Sequence, residues 1–272
     1  MSSIEGVRTH FGFTKMPFGK DLSPSALHRH GGHQEAVARL AFLVAEQAIG
    51  VVTGEAGSGK TVAARAAVAG LEPSRHAVIY LANPAVGARG LYAEIVGHLG
   101  GEPRFHKAAL IAQATRLLGA EAQERGRRVL VVVDEAHLLD AAQLEELRLL
   151  TNAEMDSASP FALVLLGQPT LRARLRLGSF VALSQRVTLR YAIPPMDQDE
   201  CASYVAHHVA LSGRSDPLFS DEAIGRIHQS ARGLPRAVNN LARQSLVAAF
   251  ANRSAIVDDK AARQAVSEMD AE

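Results

Sequence analysis

Residues 49–61 read IGVVTGEAGSGKT, an apolar run that passes into two glycines separated by four residues and followed by lysine and threonine. This pattern does chemistry in one setting, between a strand (Ile49 to Thr53) and a helix (Val62 to Ala69). Glycines let the backbone curl until successive N–H groups face one anion, and the helix behind them adds its positive N-terminal end. Lys60 supplies a cation for β- and γ-phosphates, and Thr61 supplies a hydroxyl for Mg²⁺. The stretch therefore predicts a nucleoside triphosphate site.

The rest of the chain supplies strands and helices in alternation. Apolar runs at His76–Leu81, Val129–Val133, Phe161–Leu166 and Val187–Tyr191 read as strands, and the five consecutive apolar residues 129–133 suit a parallel strand buried on both faces. Helical spacing covers Gln34–Gln47, Gly90–Leu99, Lys107–Arg125, Ala141–Leu150 and Leu171–Leu177, which implies a doubly wound parallel sheet. After Pro194 and Pro195 the pattern is helical throughout: Gln198–Ser212, Asp221–Ala231, Pro235–Phe250 and Asp259–Met269. The domain reading is an ordered, non-helical arm over 1–33, an α/β domain over 34–195 and a small all-helical domain over 196–272.

Composition excludes several classes. At 272 residues and 47% hydrophobic content the chain has ample material for packed cores. It has no run of eighteen apolar residues and no signal-peptide layout, so a cytoplasmic protein without a membrane span is expected. A single cysteine, Cys201, permits no internal disulfide and reads as a quiet, partly buried thiol. A net charge of +1 confines any nucleic-acid contact to local patches. His28, His30 and His33 lack an acid or cysteine nearby, which argues against a metal site.

Beyond the loop, five residues carry candidate chemistry. Asp134 and Glu135 lie where a buried strand emerges; an acid there accepts the Mg²⁺ shell, and its neighbour can orient and deprotonate the attacking water. Gln168 ends the next strand, on the side of the sheet where ligands bind, and can bridge γ-phosphate and water, although the turn in GQP also accounts for it. Arg186, with Arg190 as the competing choice, has the planar fork needed to reach a γ-phosphate in a neighbouring subunit. Arg236, in GLPRAVNNL, opens a helix from which a cation can sense the nucleotide.

GEAGSGKT, VLVVVDEAHLL, LLGQP, the arginine of LSQR and GLPR, in that order and followed by a helical lid, resemble an AAA+ ATPase. FGFTKMPF, HQEAVARL and GQPTLRARL are similar to the branch holding transposon accessory ATPases of the TniB and IstB type and secretion ATPases of the ExeA type. The resemblance implies a P-loop AAA+ parallel sheet with flanking helices and a helical lid, with ATP and Mg²⁺ as cofactors. It implies nucleotide contacts from Gly54, Glu55, Ala56, Gly57, Ser58, Gly59, Lys60, Thr61 and Val62. By the same resemblance Thr61 and Asp134 hold the metal, Glu135 is the base, Gln168 is sensor 1, Arg186 is the finger and Arg236 is sensor 2. The family often has Asn where Gln168 stands.

Members of the transposon branch assemble on duplex DNA and hand a target site to a transposase. The resemblance thus implies a homo-oligomer, ring or helical filament, with double-stranded DNA and a transposase as partners. Contacts fall in the loops over Asn83–Lys107 and Thr151–Ser159, where Arg89, Arg104 and Lys107 neutralise phosphates without reading bases. Arg172, Arg174 and Arg176 form a second basic cluster, spread over more than one helix face. The ExeA alternative acts on a protein partner and expects a membrane span and a further tail after the ATPase head, which the 272 residues do not contain.

Overall fold

The computed structural model describes residues 3–19, 21–152 and 159–270. Two compact units divide the chain: Gln34–Ala56 with Lys60–Ile193, and Met1–His33, Gly57–Gly59 and Pro194–Glu272. The chain opens with α1 (Ser3–Phe11) and α2 (Gly31–Glu46).

The first unit is a parallel sheet of β1 (Ile49–Thr53), β2 (His76–Leu81), β3 (Arg128–Val133), β4 (Ala162–Gly167) and β5 (Val187–Ala192), ordered β2-β3-β4-β1-β5. Between strands run α3 (Lys60–Ala69), α4 (Gly87–His98), α5 (Lys107–Gln123), α6 (Ala141–Leu150), α7 (Pro169–Arg174) and α8 (Val181–Arg186). Alternation along each strand divides the apolar residues between two faces. Val51, Val129, Val131, Val133, Leu163 and Leu165 enter one core with α4 to α8, while Val52, Leu130, Val132, Val164 and Leu166 enter the other with α2 and α3. That double burial is why the strands read as unbroken apolar runs.

Register fixes the ends that matter. Thr53 pairs with Gly167 and Val133 with Leu165, so β1, β3 and β4 stop within about two residues of one another. Backbone bonds from Gly54 N to Gly167 O (3.2 Å) and from Asp134 N to Leu81 O (2.9 Å) extend the ladder into the loops. The α/β reading stands. The helix expected over 171–177 ends at Arg174, and Arg186 is the last residue of α8.

The second unit contains α1, α9 (Gln198–Ala210), α10 (Asp221–Ala231), α11 (Pro235–Ala251) and α12 (Asp259–Asp270). Here the arm expectation is corrected: residues 3–11 are helical, and Val7, Phe11, Phe13 and Phe18 are buried in the same core as Tyr204, Val238 and Leu246. Val7 and Phe11 share a helix face at i, i+4, and Gly12, at φ +71°, ends the helix in a conformation that suits glycine. The glycines and prolines after Gly12 outweighed that short face in the sequence. Cys201 is fully buried rather than partly, and burial pushes its thiol up to about 11.

Histidines tie the N-terminal segment to α9. His28 Nε2 lies 3.0 Å from Ser203 Oγ, His207 Nε2 lies 2.8 Å from the Ala26 carbonyl, and His208 stacks on Phe18 at 5.1 Å. Burial, then the neighbouring His207 and His28, pulls His208 down to about 4; burial, then His207 and His30, does the same to His28. Among the described residues no group of three or more His, Cys, Asp and Glu is placed to hold a metal ion. Because the folded-state values lie below the usual 6.5, the neutral rings stabilise this unit above pH 6.5, and that stability is lost as pH falls toward 4. Its melting temperature should fall across that window, His208 alone contributing roughly 3 kcal/mol, and His208→Gln should flatten the dependence; an unchanged pH profile in that variant would remove His208 as its source.

Candidate active site

The loop between β1 and α3 has the backbone its glycines predict. Gly57 and Gly59 sit at φ +82° and +93°, where a side chain is strained. The Gly57 carbonyl accepts from the Arg236 N–H at 3.2 Å, and a Cβ on Gly57 would come within 2.7 Å of Arg236 Cβ, so no larger residue fits. Lys60, only 7% exposed, donates from Nζ to the carbonyls of Gly54 (2.9 Å) and Glu55 (3.0 Å), which holds its ammonium over the loop. Among the described residues Ser58 Oγ is buried without a hydrogen-bond partner, a cost that a bound anion's oxygen would offset.

Asp134 is the most fully engaged group of the site. At 4% exposure, its Oδ2 accepts from the Thr61 hydroxyl (2.7 Å) and the Tyr80 hydroxyl (2.8 Å), and its Oδ1 accepts from the Glu135 N–H (2.8 Å). Tyr80 was not picked out in the sequence. It lies on β2 opposite Val132, and burial, followed by its bond to Asp134, raises its phenol well above the ordinary range, which keeps it a donor. Thr61 and Asp134 are both hard oxygen donors, and a site with one carboxylate and one hydroxyl suits Mg²⁺, which takes its remaining ligands from phosphate and water.

Glu135 adopts the left-handed conformation at φ +48°, uncommon for a residue with a side chain and typical of positions held for function. Its half-exposed carboxylate has Oε2 3.3 Å from His137 Nδ1. Gln168 caps α7 without a side-chain cap bond, and because β4 lies between β3 and β1 it stands between Asp134 and the loop. Gly167 before it has the His137 backbone nitrogen 3.2 Å from where a Cβ would be, so a larger residue would push that segment away.

The remaining candidates lie elsewhere. Arg186 donates to Thr151 Oγ1 (2.9 Å) and the Arg148 carbonyl (3.3 Å), at the C-terminal end of α6. Arg89 lies on α4 and donates to the carbonyls of Phe105 (3.1 Å) and Arg104 (3.3 Å), while Lys107 forms an ion pair with Glu146. Residues 153–158 of the second proposed DNA loop lie outside the described residues.

Residues 44–175 match the family described as the AAA domain. Over those residues the chain carries an AAA domain in a P-loop AAA+ fold. Over 248 residues it is 33% identical to the general secretion pathway protein A of Aeromonas hydrophila, covering 90% of this chain and 45% of that protein's length. Among solved structures it superposes on the Aeropyrum pernix ORC2 protein in ADPNP and ADP complexes (TM-score 0.67, 19% identity, 92% of this chain, 70% of that one). It superposes likewise on Cdc6p of Pyrobaculum aerophilum (0.69, 18%, 92% and 70%) and on the RuvB branch migration motor of Thermotoga maritima (0.58, 16%, 86% and 68%). At these identities the structures establish the fold. Within it, no helix of the described residues is long and apolar enough to cross a membrane.

The loop geometry separates two substitutions. Gly59→Ala meets only the backbone penalty, about 1–2 kcal/mol, whereas Gly57→Ala adds the contact with Arg236 and should destabilise more in chemical denaturation; equal losses would show that the Arg236 contact yields freely.

Proposed function

We propose that this AAA+ domain binds Mg²⁺ and ATP at the Gly54–Thr61 loop, hydrolyses the ATP and uses the change to alter its hold on a protein partner. The observation that carries the reading is the buried Asp134 carboxylate bonded to the Thr61 hydroxyl, with Glu135 next to it and Lys60 held over the loop. Thr61 and Asp134 would hold Mg²⁺, which neutralises charge on the β- and γ-phosphate oxygens when bound. Loop N–H groups and Lys60 orient the triphosphate. Gln168 positions a water, Glu135 takes its proton as the oxygen attacks the γ-phosphorus, and the bond to the bridging oxygen breaks to leave ADP and phosphate.

Arg186 acts in this scheme from a neighbouring copy, leaving the α6 terminus to reach the γ-phosphate, and Arg236 senses the nucleotide beside Gly57. The secretion-pathway relative, 33% identical over 90% of this chain, supports a protein partner. The second reading is a homo-oligomer on duplex DNA assisting a transposase. Its support is the α4–α5 connection, where Phe105 is 83% exposed beside Arg104. Of the three cations proposed for DNA, Lys107 already has Glu146 and Arg89 already has two carbonyls, so Arg104 is the best placed.

Glu135→Gln should retain nucleotide binding and lower phosphate release by about 100-fold or more; undiminished turnover would remove Glu135 as the base. Lys60→Ala should abolish binding. Arg186→Ala should bind nucleotide yet hydrolyse poorly, and mixing it with Lys60→Ala protein should restore some turnover; no restoration would count against action between copies. Anisotropy of a labelled duplex in ATP, ADP and no nucleotide, at two salt concentrations, separates the partners. ATP-dependent, salt-sensitive binding weakened by Arg104→Ala supports the DNA reading, and its absence in every state leaves the protein partner.

A further inference from the structure

The arginines of GQPTLRARLR have no part in the ATPase scheme, and the structure gives two of them a common destination. A cleft of about 110 Å³ opens between α7, α8 and the β1–β5 pair, and Arg172, Arg176 and Arg190 all line it. Arg172 lies on α7 and Arg176 in the turn just after it, and both line the same cleft. Arg174, between them, turns the other way: it donates to the His137 carbonyl at 2.8 Å and lies 5.8 Å from the Phe180 ring centre. The spacing that seemed to scatter the cluster thus sorts it into one structural arginine and two that face the cleft.

Three features mark the cleft as a place for an anion. No carboxylate lines it, so three like charges meet without internal compensation. Among the described residues the Arg172 and Arg176 side chains have no hydrogen-bond or ion-pair partner, while Arg190 is pinned by the Ser184 hydroxyl (2.9 Å) and the Val187 carbonyl (3.3 Å). The floor is buried and largely apolar, formed by Val51 and Leu175 with the Thr53 side chain at its end, and a low-dielectric floor strengthens attraction to the cations above it.

We propose that this cleft binds a phosphate group through Arg172, Arg176 and Arg190. A phosphate offers more acceptor oxygens than a carboxylate and can be shared by several guanidinium forks at once. The site is separate from the nucleotide loop: it uses none of Lys60, Thr61, Asp134 or Glu135, and the Arg186 fork is engaged at Thr151. It therefore stands whether or not the chain hydrolyses ATP. Thr53 joins the two places, since it lines the cleft and immediately precedes Gly54, so an occupant would bear on the strand end that leads into the loop. The phosphate can belong to a small polyphosphate or to a nucleic-acid backbone.

The test uses the full chain in saturating ADP and Mg²⁺, with pyrophosphate titrated by calorimetry and a labelled duplex titrated by anisotropy. Arg172→Gln with Arg176→Gln should weaken pyrophosphate about tenfold or more, and Arg176→Gln should weaken it more than Arg174→Gln, which removes the same charge two residues away. Parallel loss of duplex affinity assigns the site to a nucleic-acid backbone, and loss of pyrophosphate alone assigns it to a small phosphate ligand. No pyrophosphate binding, or equal effects of the Arg174 and Arg176 changes, overturns the proposal. So does a change confined to the oligomeric state, which would make the cleft a seat for an acidic side chain of a second copy.

Discussion

Parallel pairing of β3 with β4 and of β4 with β1 sets where the candidate site's Asp134, Gln168 and Gly54 stand. The strands end nearly level, so the residues just past them, Asp134, Gln168 and Gly54, emerge at one edge. Pairing in a parallel ladder is indifferent to polar residues beyond the last bond, while both faces are filled by apolar side chains that tolerate little change. The candidate site is thereby confined to the strand ends and stability to the strand bodies. A slip of one residue in β4 would exchange Leu165 and Leu166 between cores as well as displace Gln168.

At that edge, satisfaction of one buried carboxylate organises the site. Asp134 has three donors from three parts of the chain: the Thr61 hydroxyl on α3, the Tyr80 hydroxyl on β2 and the Glu135 N–H beside it. A buried carboxylate left without donors costs several kcal/mol, so these groups are held as firmly as the core beneath them. The Glu135 backbone bears the strain of the arrangement, in a left-handed conformation that leaves its own carboxylate half-exposed.

The helical unit shows a different division of labour. Its N-terminal segment contributes Val7, Phe11, Phe13 and Phe18 to a core otherwise built from residues after 195, and histidines at 28, 207 and 208 seal the join. In sequence that segment looked like an arm because its glycines and prolines are local signals, whereas the value of its aromatics lies in partners nearly two hundred residues away. The full burial of Cys201 likewise depends on partners distant in the chain.

Within the sequence alone, the phosphate loop, the alternation of strands with helices and the change to a helical region after Pro195 were all legible, because each depends on residues within a few positions of one another. Glycine conformation, apolar periodicity and helix caps are short-range properties. Tertiary structure alone decided the strand order that puts Gln168 between Asp134 and the loop, the Tyr80 bond to Asp134, the seat of Arg186 at the α6 terminus, and the sorting of Arg172 and Arg176 from Arg174. Each of these joins segments far apart in the chain. Periodicity specifies that a face will be buried, but only packing selects which face it meets.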